Sequence, residues 1–132
     1  MYSQPPIILY VEDDPGSQEV VEMTAMVMAD WHLTIFDDSE NFIERVAELR
    51  PRPNVFLLDI HVKPHTGLEM LRMLRADARF SDLPIIALTA SVMNEEVAHL
   101  RSMGFDSVVA KPLDIDTFPE VVHRVLAGET VW

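Results

Sequence analysis

The stretch Ile7-Ile8-Leu9-Tyr10-Val11-Glu12-Asp13-Asp14-Pro15 decides how this chain folds, because five apolar residues run straight into three acids and a proline. A run that short, bounded by a breaker, reads as a strand, and Asp14-Pro15 then reads as the N-cap and first residue of a helix. The same grammar recurs downstream. Val55-Phe56-Leu57-Leu58 runs into Asp59, and Val108-Val109-Ala110 runs into Lys111-Pro112. If these runs are neighbouring parallel strands, one edge of the sheet gathers acids and one cation, an edge suited to a divalent metal and a phosphoryl group.

Along the rest of the chain, apolar runs near 6–11, 32–36, 54–58, 84–88 and 106–110 alternate with helical periodicity near 15–29, 39–49, 67–76, 91–103 and 117–127. Five βα units around a parallel sheet follow. Thr66-x-x-Glu69 and Thr117-x-x-Glu120 both fit a capping box. Runs 55–58 and 85–88 are apolar almost throughout, as strands covered on both faces are; His32 and Thr34 make 32–36 an edge strand. Right-handed crossovers put Glu12, Asp13, Asp59, Thr89 and Lys111 all at the carboxyl ends of strands, where ligands bind in such sheets.

Composition sets the outer bounds. The 132 residues suit one domain over 1–132, with a core of about 6–127. A net charge of −12 argues against direct nucleic-acid binding and against an anionic membrane surface, and favours cations or basic partners. There is no cysteine, hence no disulfide or thiol chemistry. The opening Met1 to Pro6 lacks a signal-peptide pattern, and no run would span a bilayer, so a cytoplasmic protein is expected.

The acids carry the sharpest energetics. Two carboxylates about 5 Å apart repel by roughly 3 kcal/mol at an effective dielectric of about 20, and a third compounds this. Either one acid takes up a proton, or a hard divalent ion such as Mg²⁺ sits between them. Asp13 and Asp59 are the natural direct ligands, with Glu12 acting through water. Asp59 can then serve as a nucleophile that forms an aspartyl phosphate. Lys111 can bridge Asp59 and a phosphoryl oxygen, the Thr89 hydroxyl can donate to another, and a small Ala90 lets the backbone approach.

Other features read as structure. The five histidines lie apart with no pair at i, i+4, which argues against zinc. Met70, Met73, Met93 and Met103 read as core filler. Met23, Met26 and Met28, together with Val20, Val21 and Val27, give the first helix more apolar width than one buried stripe needs, and the excess suits a docking face.

These residues together resemble the receiver (phosphoacceptor) domain of two-component response regulators, in particular single-domain chemotaxis-type regulators. The motifs are Ile-Leu-Tyr-Val-Glu-Asp-Asp-Pro at 8–15, Leu-Leu-Asp-Ile at 57–60 with Gly67, Ala-Leu-Thr-Ala at 87–90 and Lys-Pro-Leu-Asp at 111–114. The resemblance implies a flavodoxin-like (βα)5 three-layer sandwich with strand order 2-1-3-4-5. It implies Mg²⁺-dependent phosphoryl transfer from a histidine kinase or a histidine phosphotransfer protein to Asp59. The ion would be held by Asp13, Asp59 and the backbone carbonyl of His61, with Glu12 acting through water. His61 and Ser91 would flank the path of hydrolytic water. Such a domain catalyses only its own phosphorylation and dephosphorylation and signals to a downstream protein by changing conformation.

Two positions depart from the family. Lys63 stands four residues after Asp59 where proline is usual, with Pro64 one later, and Val108 stands three before Lys111 where an aromatic ring is common. A ring-based switch therefore does not carry over. With only 127–132 after the last expected helix, no attached output domain is expected. The cognate kinase, the downstream target and self-association into a homodimer are left open. A haloacid dehalogenase-type phosphohydrolase would place its nucleophile after the first strand and a second Asp two residues on, where this chain has His61. A phosphorylation-independent module would lack an acid, Thr89 or Lys111, and a flavin-type phosphate cradle would not be acidic.

Overall fold

The structure, a computed structural model, describes residues 5–132; the opening residues 1–4, part of the stretch read above against a signal peptide, lie outside them. Five parallel strands, β1 (Ile7–Val11), β2 (His32–Phe36), β3 (Val55–Asp59), β4 (Ile85–Thr89) and β5 (Ser107–Ala110), form one sheet in the order β2-β1-β3-β4-β5. Five helices connect and follow them: α1 (Pro15–Met28), α2 (Phe42–Glu48), α3 (Gly67–Ala76), α4 (Asn94–Met103) and α5 (Phe118–Leu126). This is the flavodoxin-like order expected from the sequence, with β2 at one edge. β3 and β4 are buried along their whole length.

Side-chain alternation splits the apolar residues between two cores. Leu9, Val11, Phe56 and Leu58 face Phe42, Met70, Leu74 and Leu100 of α2, α3 and α4. Ile8, Tyr10, Val55 and Leu57 face Val21, Phe118 and Val122 of α1 and α5. Period-two alternation in β1 and β3 thus feeds two layers of helices at once.

Helix starts follow local chemistry. Asp14 caps α1, accepting from the Ser17 backbone N–H at 2.8 Å, and Pro15 stands at the first position. The Thr66 capping box forms in full with Glu69. The expected Thr117 box does not. Thr117 has α-region backbone angles, φ −109° and ψ −28°, and its side chain makes no cap bond, whereas a capping side chain needs extended backbone. Residues 114–117 already turn, with Thr117 and Phe118 N–H groups donating to the Asp114 carbonyl.

The second and fourth helices start later than expected. Ser39 is committed elsewhere: its hydroxyl donates to the His65 carbonyl at 2.7 Å and its N–H to the Lys63 carbonyl, tying the loop after β2 to the loop after β3. Met93 lies just before α4 and is 58% exposed, so it is not core filler, unlike Met70, Met73 and Met103. On α1, Met23, Met26 and Val27 are exposed, whereas Val20, Val21 and Met28 pack into the core.

At the amino end of the sheet, Arg75 of α3 acts as a knot. Its guanidinium donates to the carbonyls of Ser81, Leu83 and Gly104 and to Asp106 Oδ2, all within 3.0 Å. Asp106 also accepts from the Ile85 N–H at 2.9 Å. Gly104 closes α4 at φ +116°, a backbone conformation that disfavours any side chain. The chain end runs back along β5, where the Ser107 hydroxyl donates to the Val131 carbonyl.

Gly67 is required by close approach. A Cβ there would lie 2.9 Å from the Asp59 carbonyl oxygen and 2.9 Å from Ile60 Cα. Both are backbone atoms that cannot step aside cheaply. Gly67→Ala is expected to destabilise the fold by about 2 kcal/mol, as overpacking does. Thermal unfolding measures the loss, and the largest amide shifts should fall at 59–61. An unchanged melting temperature would show that α3 yields freely.

Candidate functional site

Four of the five strands deliver a candidate residue to the same edge. Glu12 and Asp13 follow β1, Asp59 ends β3, Thr89 ends β4 and Lys111 follows β5. Register fixes their heights: Asp59 pairs with Leu88 and Thr89 with Ala110, so the two functional side chains end adjacent strands one step apart. The loop backbones are held too, by Glu12 N–H to Phe36 O, Ile60 N–H to Leu88 O and Lys111 N–H to Thr89 O.

The acids meet as expected. Carboxylate oxygens of Glu12, Asp13 and Asp59 all lie within 4.8 Å of one another, and among the described residues no other group of three or more His, Asp or Glu side chains clusters so closely. Glu12 and Asp59 are buried; Asp13 is exposed. Three hard oxygen donors with one side open to solvent fit a divalent cation that keeps several waters.

Lys111 enters the cluster from the side, and it leans differently from the expected bridge to Asp59. Its ammonium lies 2.8 Å from Glu12 Oε1 and 3.5 Å from Asp59 Oδ2. Burial alone would depress the lysine, but its bond to Glu12 and the charges of Asp59 and Glu12 outweigh this and hold it above its ordinary value. It therefore stays an ammonium at neutral pH. Glu12 is pushed up, first by burial and then by neighbouring Asp59, against the pull of Lys111.

Other partners were not foreseen. Tyr10, fully buried, donates its hydroxyl to Glu12 Oε1 at 3.1 Å. Burial and the charge of Glu12 push its phenol far up, so it remains a donor. Alternation along β1 places residues 10 and 12 on one face, the signal that could have paired them. Gln18 of α1 donates to the Glu12 carbonyl at 2.7 Å and to Asp37 at 2.9 Å, pinning the acidic loop. The Asp59 carboxylate accepts from the His61 N–H at 3.1 Å, and the Thr89 hydroxyl accepts from the Ser91 N–H at 3.2 Å. Beside these, a cleft of about 470 Å³ opens between the loop after β3 and α4, lined by His61, Thr89, Ser91, Glu95 and His99 over Ile60, Leu68 and Leu100.

Comparison with known proteins agrees with this geometry: the family model for the response regulator receiver domain matches residues 8–123. The chain belongs to the response regulator receiver family. This receiver is 35% identical over 125 residues, 94% of its length, to the probable transcriptional regulatory protein TcrX of Mycobacterium tuberculosis, and spans 50% of that protein. It is 31% identical over 122 residues to Protein PilH of Pseudomonas aeruginosa, covering 92% of this receiver and 98% of PilH. It thus spans about half the length of one relative and nearly all of the other. Among solved structures, the receiver domain of sensor histidine kinase PA1611 from Pseudomonas aeruginosa, with magnesium coordinated in its active site cleft, matches with a TM-score of 0.80 at 24% identity. That likeness covers 94% of this receiver and 99% of that chain. No helix among the described residues is long and apolar enough to cross a membrane.

The raised Glu12 carboxyl has a consequence for stability. A carboxyl whose folded value lies above its unfolded value contributes stability that is complete below the unfolded value and lost as pH rises through the folded one. At pH 7.5, without metal, Glu12→Gln should therefore raise the melting temperature by roughly 4 °C, equivalent to about 1 kcal/mol. The gain should shrink as pH is lowered toward about 5. Calorimetry in chelator across that range checks it. A gain that grows on acidification, or a loss at pH 7.5, would show that Glu12 is a net stabilising partner of Lys111.

Proposed function

We propose that this receiver accepts a phosphoryl group on Asp59 from a phosphohistidine of a sensor histidine kinase or a histidine phosphotransfer protein, and that the cation it uses is Mg²⁺. The observation that carries this reading is the ammonium of Lys111 poised within 3.5 Å of Asp59 inside a cluster of three acids. The magnesium-bound receiver of PA1611 supports the choice of ion.

Asp13 and Asp59 would hold the ion directly, joined by the backbone carbonyl of His61, with Glu12 acting through water. When bound, the ion screens the negative charge that otherwise keeps a carboxylate and a phosphoryl group apart. One oxygen of Asp59 forms the new bond to phosphorus. The bond from phosphorus to the donor imidazole nitrogen breaks, its electron pair stays with the imidazole, and that nitrogen takes up a proton. Lys111 turns from Glu12 to a phosphoryl oxygen. Thr89 gives up the Ser91 N–H and donates its hydroxyl to another. The domain processes no external substrate beyond this, and its only other chemistry is loss of the phosphoryl group to water.

The signal leaves through the loop after β4. Val108 is half-buried against the core beneath α4 and has no ring to swing, so the movement of Thr89 reaches a partner protein through 89–95 and α4. The net charge of −12 suits a partner with a basic surface rather than nucleic acid or an anionic membrane. A cytoplasmic setting accords with this role. Whether two copies pair as a homodimer is a separate matter on which the site does not depend.

Acetyl phosphate with Mg²⁺ is expected to add one phosphoryl group to wild type and none to Asp59→Asn, as read by mass spectrometry. Equal labelling of both, or labelling that survives chelation, would remove Asp59 from the role.

Beryllofluoride with Mg²⁺ is expected to shift amide resonances across 89–103 in wild type and in Val108→Ala alike, and much less in Thr89→Ala. Loss of the shifts in Val108→Ala, with beryllofluoride still bound, would place the valine in the switch.

A further inference from the structure

Glu12 is fully buried in the metal-free structure, and the bonds its carboxylate makes there come from within the protein. Its Oε2 accepts one long bond, 3.3 Å, from the Asp14 N–H. Its Oε1 accepts two, from Lys111 at 2.8 Å and from the Tyr10 hydroxyl at 3.1 Å. Lys111 is the mobile member. Its stem is flexible and its side chain is 20% exposed, whereas the Tyr10 ring is fully buried in the core under α1 and α5.

Phosphoryl acceptance, as read above, draws Lys111 away from Glu12. The carboxylate cannot readily follow, because it stands just past a buried strand, with the Glu12 N–H bonded to the Phe36 carbonyl and its Oε2 held by the Asp14 N–H. A buried carboxylate oxygen abandoned by its only strong donor is costly. Tyr10 keeps that from happening. We propose that Tyr10 is a positioning residue for phosphoryl acceptance, whose fixed hydroxyl keeps Glu12 Oε1 satisfied while Lys111 moves to the phosphoryl group. The inference rests on the reading of Asp59 as phosphoacceptor, and involves an exchange of hydrogen bonds only.

Phenylalanine at position 10 would fill the same core volume and leave Lys111 as the only donor to Glu12 Oε1. The lysine would then be held where it rests. Tyr10→Phe is thus expected to weaken beryllofluoride binding in the presence of Mg²⁺ about tenfold, with a similar fall in the maximal rate of labelling by acetyl phosphate. The acetyl phosphate concentration at half-maximal rate and the affinity for Mg²⁺ alone should stay within about twofold. In a Glu12→Gln background, where no buried charge is left behind, adding Tyr10→Phe should cost less than about twofold. A residue that merely packs would move Mg²⁺ affinity, half-saturation and rate together, and would do so in either background.

Beryllofluoride affinity and labelling rate unchanged in Tyr10→Phe would overturn the inference alone. So would a loss equally large with Glu12 and with Gln at position 12. A wild-type protein that binds neither Mg²⁺ nor beryllofluoride would overturn the reading of the site, and this inference with it.

Discussion

The carboxyl edge of this sheet depends on one ammonium set among three carboxylates. Of the three acids Glu12, Asp13 and Asp59, Lys111 bonds two, and it does so unevenly, closer to fully buried Glu12 than to Asp59 at the end of β3. Repulsion among the acids is not fully answered by one positive charge. The residual field is what makes the edge receptive to a second cation and, behind it, to a phosphoryl group. Instability of the empty site and affinity of the site for its ligands are the same energy counted from two reference states.

That energy can be stored only because the rest of the sheet does not yield. β3 and β4 are buried on every residue, two cores clamp the sheet from both faces, and Gln18 and Ser39 bind neighbouring loops to one another. Against this, the roof over the site is lightly built. Residues 92–96 are exposed, Met93 supplies no side-chain cap, and Leu100 is the buried residue of α4. Local stability is therefore low where movement is required and high where geometry must be kept.

Most of this was legible in the sequence because the signals were local or periodic. Short apolar runs ending in Asp59 and Lys111, the Asp14-Pro15 pair and the Thr66 box each carry their meaning within a few residues. The misreadings share a cause. Thr117 lost its cap because residues 114–117 had already turned, the start of α2 moved because Ser39 was bonded to the loop after β3, and Met93 fell outside its helix. None of these follows from the residue itself. Likewise Arg75 reads as an ordinary surface arginine until β4 and β5 bring four acceptors to it, and Tyr10 reads as one apolar position among five until Glu12 is seen to need a donor. Long-range polar partners are invisible to a pattern of apolar spacing.

The knot at Arg75 gives α4 a mechanical character. Its carboxyl end is fastened: the Gly104 carbonyl accepts from the Arg75 guanidinium, and the next residues are tied through Asp106 to the start of β4. Its amino end hangs from an uncapped loop that begins at Thr89. A rod fixed at one end and pulled at the other swings rather than slides. On the proposed route, a tug at Thr89 would become a rotation about Gly104, widest at the first turn, where Glu95 and Glu96 stand, and smallest at Met103. A partner that senses tilt would grip the front of this helix, and one gripping its rear would feel nothing.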